Sequence, residues 1–214
     1  PMMAEETERV GKLITGETSK SLRRVFFLME RLKAMGKKTD TTFRRVHVIG
    51  AGVMGGDIAA WCVLQGMDVT LQDRELKYIE PALKRAKTLF QKKLRNRNKV
   101  NGALSRLVPD VDGKGVEKAD VIIGAIFEDV DVKRELFAGI EPRMKDGAVL
   151  ATNTSAIPLA EIASVLKKPE NLIGIHFFNP VAKMPLVEVV YDEKSDPEQV
   201  ARGAAFCGAI NRFP

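Results

Sequence analysis

Three apolar runs in this chain lead into side chains that can move protons or hold charge. Ile126-Phe127 leads into Glu128, Thr152-Asn153-Thr154 into Ser155, and Gly174-Ile175 into His176, with Glu188 on the run that follows. A histidine beside a carboxylate suits the oxidation of an alcohol: the imidazole takes the hydroxyl proton as hydride leaves the same carbon, and the carboxylate stabilises the imidazolium. The hydride acceptor then comes from a cofactor, and the protein's task is to hold the alcohol against it. By residue type alone, His176 reads equally as a satisfied interior histidine, and Glu188 as an ordinary exposed strand residue. His47, between Val46 and Val48 and far from the end of its run, reads as structural.

A place for such a cofactor stands upstream. The run Arg45-Val46-His47-Val48-Ile49 leads into Gly50, Gly52 and Gly55, spaced G-x-G-x-x-G, and an amphipathic segment from Gly56 to Gln65 follows. Strand, turn and helix are the context this motif requires. Gly50 permits a tight turn, Gly52 lets backbone N–H groups approach a pyrophosphate, and Gly55 lets the helix pack closely on the strand. The helix N-terminus adds partial positive charge. Three glycines alone are weak evidence, because loops use glycine for positive φ without binding anything. Asp73 strengthens the reading: Asp68-Val69-Thr70-Leu71-Gln72-Asp73 follows a helix ended by Gly66 and places a carboxylate about 20 residues beyond the glycines, where it can grip a ribose diol. An acidic residue there repels a 2′-phosphate, so NAD is expected over NADP; Arg74 is the residue through which NADP would be held.

The elements that must position these residues follow from periodicity. From residue 44 onward short apolar runs alternate with helical segments, which predicts an α/β, Rossmann-type doubly wound, mostly parallel sheet with helices on both faces. Ile79, Leu83, Ala86, Phe90 and Leu94 mark a long helix with Pro81 in its first turn or at an early kink. Leu107-Val108, Val121 to Ile126, Ala148 to Asn153, Leu172 to Phe178 and Leu186 to Tyr191 read as further strands. Val132, Leu136 and Ile140 mark a crossover helix, and a last helix runs from Asp196 to about Arg212. In such a sheet ligands lie beyond the carboxyl ends of the strands, where the residues singled out above fall.

Residues 1–43 form a separate region before the domain at 44–214. Leu22, Val25, Phe26, Met29 and Leu32 recur at helical spacing, with Ser19 placed to cap the helix and Gly36 to end it. A single amphipathic helix cannot bury its own stripe, so it is expected to dock on the main domain or a partner, with Lys37-Lys38-Thr39-Asp40-Thr41-Thr42 as a polar link.

Composition narrows the alternatives. The 214 residues suffice for one large domain with an appendage. No apolar run spans a bilayer, and the opening Pro1-Met2-Met3-Ala4-Glu5-Glu6 lacks the features of a signal peptide. Cys62 and Cys207 lie in helical apolar contexts and are expected to be buried and reduced; with only two histidines no metal site is expected. The formal charge of +6 is concentrated at Arg23, Arg24, Arg31, Lys33, Lys37 and Lys38, and again between Lys84 and Lys99. Without interleaved aromatic platforms or a recognition motif these segments argue against nucleic acid and read as solvated helix faces, or as attraction for a polyanion such as the phosphates of a coenzyme A ester.

Taken together, Gly50 to Gly55 with Met54, Ala125-Ile126-Phe127-Glu128 with Lys133, Asn153-Thr154-Ser155, and His176-Phe177-Phe178-Asn179-Pro180-Val181 with Glu188 resemble the 3-hydroxyacyl-CoA dehydrogenase family over residues 44–214. Ser21 to Phe27 resembles, more loosely, the linker helix of multifunctional fatty-acid oxidation enzymes that join an enoyl-CoA hydratase to the dehydrogenase. The resemblance implies that Gly50, Gly52, Met54, Gly55, Asp73, Ile126, Phe127, Glu128, Lys133, Ser155 and Asn179 contact NAD. It further implies His176 as catalytic base, Glu188 as its partner, and the Ser155 hydroxyl near the substrate oxygen. The implied reaction is oxidation of a (3S)-3-hydroxyacyl-CoA to the 3-ketoacyl-CoA in β-oxidation. Family members continue into a helical C-terminal domain that supplies a further catalytic Asn, so this chain is expected to be the cofactor-binding part of a longer parent that carries the helical domain and a hydratase. Bacterial cytoplasm is the expected location, with mitochondria and peroxisomes as alternatives. Two other readings use the same residues: a β-hydroxyacid or sugar-nucleotide dehydrogenase, which would rely on a catalytic Lys or Cys, and a non-catalytic NAD-binding module.

Overall fold

The computed structural model describes residues 2–36 and 42–214. In chain order the elements are helices α1 (Met2–Thr15) and α2 (Glu17–Met35), strand β1 (Arg45–Ile49), α3 (Val53–Leu64), β2 (Asp68–Gln72), α4 (Leu76–Leu94), α5 (Arg97–Ser105), β3 (Leu107–Pro109), β4 (Val121–Gly124), α6 (Val130–Ile140), β5 (Val149–Thr152), α7 (Leu159–Ala163), β6 (Leu172–Phe177), β7 (Val187–Val190) and α8 (Pro197–Ala209). The strands form one sheet in the order β3-β2-β1-β4-β5-β6-β7. All neighbours are parallel except β6 and β7. Strand order reverses between β1 and β4, which is where an open α/β sheet leaves a crevice for a ligand.

Both faces of the sheet are covered, which is why β4 and β5 are buried along their whole length and apolar but for Thr152 at the end of β5. On one face Val46, Val48, Ile123, Ala151 and Ile175 pack beneath Ile58 of α3, Ile79 and Phe90 of α4, and Phe206 of α8. On the other, Ile49, Ile122, Leu150 and Leu172 pack against Phe137 of α6 and Ile162 of α7. Side chains alternate along a strand, so His176 projects on the same side as Leu172, toward α6 and α7. Because β1, β4, β5 and β6 are parallel, their carboxyl ends share one edge, and strand spacing puts β6 about 14 Å from β1 along it.

His47 is fully buried on β1. Its Nε2 donates to Gln72 Oε1 at 2.8 Å and its Nδ1 accepts from the Thr70 hydroxyl at 2.7 Å. Burial depresses its pKa below the usual histidine value, against smaller opposing effects of Gln72 and Asp110. It is the interior histidine expected from its place mid-strand. Cys62 and Cys207 are buried free thiols, each pushed up to about 12 by burial. Among the described residues no helix is long and apolar enough to cross a membrane.

Several local expectations shift. The N-terminal region forms two helices rather than one. Gly16, extended at ψ 158°, separates them, and Ser19 lies within α2 instead of capping it. The stripe on α2 docks only at its end, where Gly36 crosses Gly208 of α8 so closely that a Cβ on Gly208 would lie 2.5 Å from the Gly36 carbonyl oxygen. Leu22, Phe26 and Phe27 remain largely exposed. Pro1 and residues Lys37 to Thr41 of the expected polar link lie outside the described residues. Helix α3 begins at Val53, three residues before the expected Gly56, because the turn closes at Gly52 and the helix then runs through two glycines whose poor propensity hid its start. Pro81 sits in the second turn of α4, and the buried face of α6 is Lys133, Phe137 and Ile140 rather than Val132, Leu136 and Ile140.

Candidate active site

The glycine turn is built by three different close approaches. Gly50 has φ 99° and its Cβ, if present, would lie 2.4 Å from the Ala125 carbonyl oxygen, so both conformation and the neighbouring end of β4 require glycine. A Cβ on Gly55 would lie 1.8 Å from the Gly50 carbonyl oxygen, which lets α3 sit directly on the turn. At Gly52 a Cβ would meet nothing within 4 Å, so that backbone faces open space. No side chain caps α3, and its first-turn N–H groups are left to an external acceptor. This arrangement fits the pyrophosphate of a dinucleotide, an anion that bare helix N-termini bind well.

Asp73, just past β2, is tied to this turn. One carboxylate oxygen accepts from the Ala51 N–H and the other from the Arg74 N–H, each at 2.8 Å. Its negative charge is thereby fixed beside the turn, and the Arg74 guanidinium is drawn aside over the Tyr78 ring, 5.4 Å from its centroid. The chain is therefore expected to bind NADH more tightly than NADPH by about tenfold or more, the effect of setting a phosphate against a fixed carboxylate. Isothermal titration with both nucleotides checks this, and equal or reversed affinities would remove the role of Asp73.

A second group forms where β4 and β5 end. Asp129 caps α6 by accepting from the N–H groups of Asp131 and Val132, and one turn later Lys133 points back beneath β4. Its side chain is 1% exposed; the ammonium lies 3.5 Å from Glu128 Oε2 and donates to the Ile126 carbonyl at 3.3 Å. Burial lowers the Lys133 pKa, opposed by Glu128. Glu128 also accepts from the Thr154 hydroxyl at 2.7 Å and the Ser155 N–H at 3.3 Å. Desolvation would push its carboxyl up, but Thr154, Lys133 and the Ser155 N–H together hold it below the usual range. Met54 is half-buried in the first turn of α3; Phe127 is 78% exposed at the exit of β4.

The third group is His176 with Glu188. Antiparallel register sets the two residues directly opposite on β6 and β7. The imidazole Nδ1 is 2.8 Å from Glu188 Oε2. An ionised carboxylate only accepts, so Nδ1 carries the hydrogen of this bond, and in the neutral ring that tautomer leaves the lone pair on Nε2. The His176 side chain is 18% exposed, and its ring stacks at a tilt 4.8 Å from Phe178. Asn179 follows in the exposed loop beyond β6.

The structure thus brings His176 to Glu188, Glu128 to Lys133 and Ser155, and Asp73 to the glycine turn, all along the carboxyl edge of the sheet. Two members of these groups had no role assigned from sequence. Thr154 is the pivot of the β5 exit: besides holding Glu128, its hydroxyl oxygen accepts from the Ile157 N–H at 3.1 Å. Asn153 Oδ1 accepts from the Phe177 N–H at 2.9 Å, locking the end of β5 to the strand that carries His176. Both side chains can bond neighbouring backbone where a strand turns out of a sheet, a signal present in the Asn153-Thr154-Ser155 run.

Comparison with known proteins agrees with the fold. The family model described as 3-hydroxyacyl-CoA dehydrogenase, NAD binding domain, matches residues 45–214. Among solved structures, 3-hydroxybutyryl-CoA dehydrogenase from Escherichia coli is 31% identical with a TM-score of 0.77, over 81% of this chain and 38% of that one. FadB2 of M. tuberculosis is 32% identical with a TM-score of 0.76, over 80% of this chain and 62% of that one. The dehydrogenase part of multifunctional enzyme 1 from C. elegans is 29% identical with a TM-score of 0.73, over 87% of this chain and 47% of its own. The chain therefore spans between about a third and two thirds of the length of these relatives. With the model covering all but the N-terminal helices and the residues after them, the chain belongs to the 3-hydroxyacyl-CoA dehydrogenase family and carries its NAD-binding domain.

Proposed function

We propose that the protein containing this chain oxidises (3S)-3-hydroxyacyl-CoA to 3-ketoacyl-CoA in fatty-acid β-oxidation, with residues 44–214 holding NAD and residues 1–43 linking them to a hydratase. The observation that carries the reading is the His176–Glu188 pair, at 2.8 Å, on the edge of the sheet that also bears the glycine turn. Names of relatives that act on 3-hydroxybutyryl-CoA or belong to a multifunctional enzyme support the substrate class and the wider architecture. Cytoplasmic location in a bacterium is proposed on the same footing.

Bound at the turn, NAD supplies the hydride acceptor. The chain's own residues then have separable tasks. His176 Nε2 accepts the proton of the 3-hydroxyl, and Glu188 holds the ring through Nδ1 and stabilises the charge it gains. The Ser155 hydroxyl has the task, implied by the family resemblance, of donating to the substrate oxygen. Glu128, Lys133, Ile126, Phe127 and Asn179 shape the nucleotide's side of the crevice, and the exposed lysines of α4 are the candidates for meeting coenzyme A phosphates.

The test is NADH formation from a 3-hydroxyacyl-CoA by the complete enzyme, wild type against Glu188→Gln. Glutamine preserves shape but removes the negative charge that favours the protonated imidazole. Turnover is expected to fall tenfold or more while NADH affinity stays within about twofold. Unchanged turnover would remove Glu188 from the mechanism; loss of NADH binding would show that it serves the fold.

A further inference from the structure

Arg85 differs from its basic neighbours on α4. Lys84, Lys87, Lys92 and Lys93 are exposed, whereas Arg85 is half-buried and turned toward α3. Its Nη2 donates to the Gly52 carbonyl at 2.8 Å, and its Nε lies 3.4 Å from Asp57 Oδ1. The reach depends on the tight meeting of the two helices, since a Cβ on Gly56 would lie 2.6 Å from Ala82 Cβ and 2.8 Å from Arg85 Nη2. The Gly52 carbonyl also accepts from the Gly56 N–H at 3.0 Å, so it is held from two sides.

That carbonyl shares a rigid trans peptide plane with the Val53 N–H, which points the opposite way. Holding the oxygen inward therefore aims the N–H outward, beyond the start of α3, where the backbone at Gly52 faces open space. The guanidinium also brings a full positive charge, partly balanced by Asp57, to the end of the helix that already carries partial positive charge.

We propose that Arg85 is a positioning residue for the cofactor's pyrophosphate, acting through the Gly52–Val53 peptide. The proposal rests on the reading of the glycine turn as the pyrophosphate site. It predicts a loss confined to ligands that carry phosphates. In the full 214-residue chain, Arg85→Met is expected to weaken NADH and ADP-ribose by roughly tenfold, as for removal of a charge-assisted hydrogen bond. Adenosine, followed by NMR, should bind within twofold of wild type. Arg85→Lys, which keeps the charge but not the fork, should lie between, and it carries the test if the methionine variant fails to fold by its melting curve. Wild-type NADH affinity in Arg85→Met, or an equal loss for adenosine, would overturn the proposal. Failure of the wild-type chain to bind NADH in the same titration would instead count against the glycine turn itself.

Discussion

Replacing His176 by alanine in the complete enzyme is expected to lower turnover by about 100- to 10,000-fold, the contribution of a well-placed general base. The size follows from what the substitution removes. With Nδ1 bonded to Glu188, the neutral His176 ring offers Nε2 as its acceptor; alanine leaves no acceptor for the hydroxyl proton and leaves the Glu188 carboxylate without its partner. NADH affinity should be almost unchanged, since the ring stands about three strand spacings from the glycine turn. Steady-state kinetics with parallel NADH titration reads both quantities. A fall of less than tenfold would move the base to another residue.

The second large effect is expected at Gly55. Its missing Cβ would stand 1.8 Å from the Gly50 carbonyl oxygen and 3.2 Å from Ala125 Cβ, so Gly55→Ala must push α3 off the turn. Neither neighbour can yield cheaply, because Gly50 is itself wedged against the Ala125 carbonyl. Destabilisation of about 3 kcal/mol, the upper part of the range for overpacking, should accompany loss of NADH binding by at least about tenfold. Gly52→Ala supplies the contrast. Its Cβ meets nothing, so the variant should melt like wild type and still bind NADH poorly, because the methyl group takes the place of the pyrophosphate. Chemical denaturation with NADH titration of both variants separates packing from approach. Wild-type stability in Gly55→Ala, or wild-type affinity in Gly52→Ala, would break that assignment.

What could be read from sequence were features written in local periodicity or spacing. The strands and the placement of Glu128, Ser155 and His176 after or near their ends follow from alternation of two periodicities, and the glycine turn and Asp73 from spacing. What could not be read depends on contacts between distant segments. Arg85 looked like one more lysine-rich face residue because its partner, the Gly52 carbonyl, is 33 positions away and carries no side-chain signal. Lys133 breaks the apolar rhythm of α6, so apolar spacing points to Val132 and Leu136 where the buried residues are Lys133 and Phe137; burial of its ammonium makes sense only once Glu128 and the Ile126 carbonyl stand beneath it. Likewise Thr154 and Asn153 act on backbone and side chains of other strands, which spacing along one segment does not encode.

The antiparallel pairing of β6 with β7 carries a consequence for durability. The gap between imidazole and carboxylate is set by rungs of the main-chain ladder on either side of residues 176 and 188, and the outer margin of β7 is itself latched where Phe213 accepts from the Val187 N–H at 2.8 Å. Neither partner relies on a swinging loop. Heating should therefore extinguish the acid–base dyad when β7 parts from β6, an opening of the sheet margin rather than the swing of a surface loop.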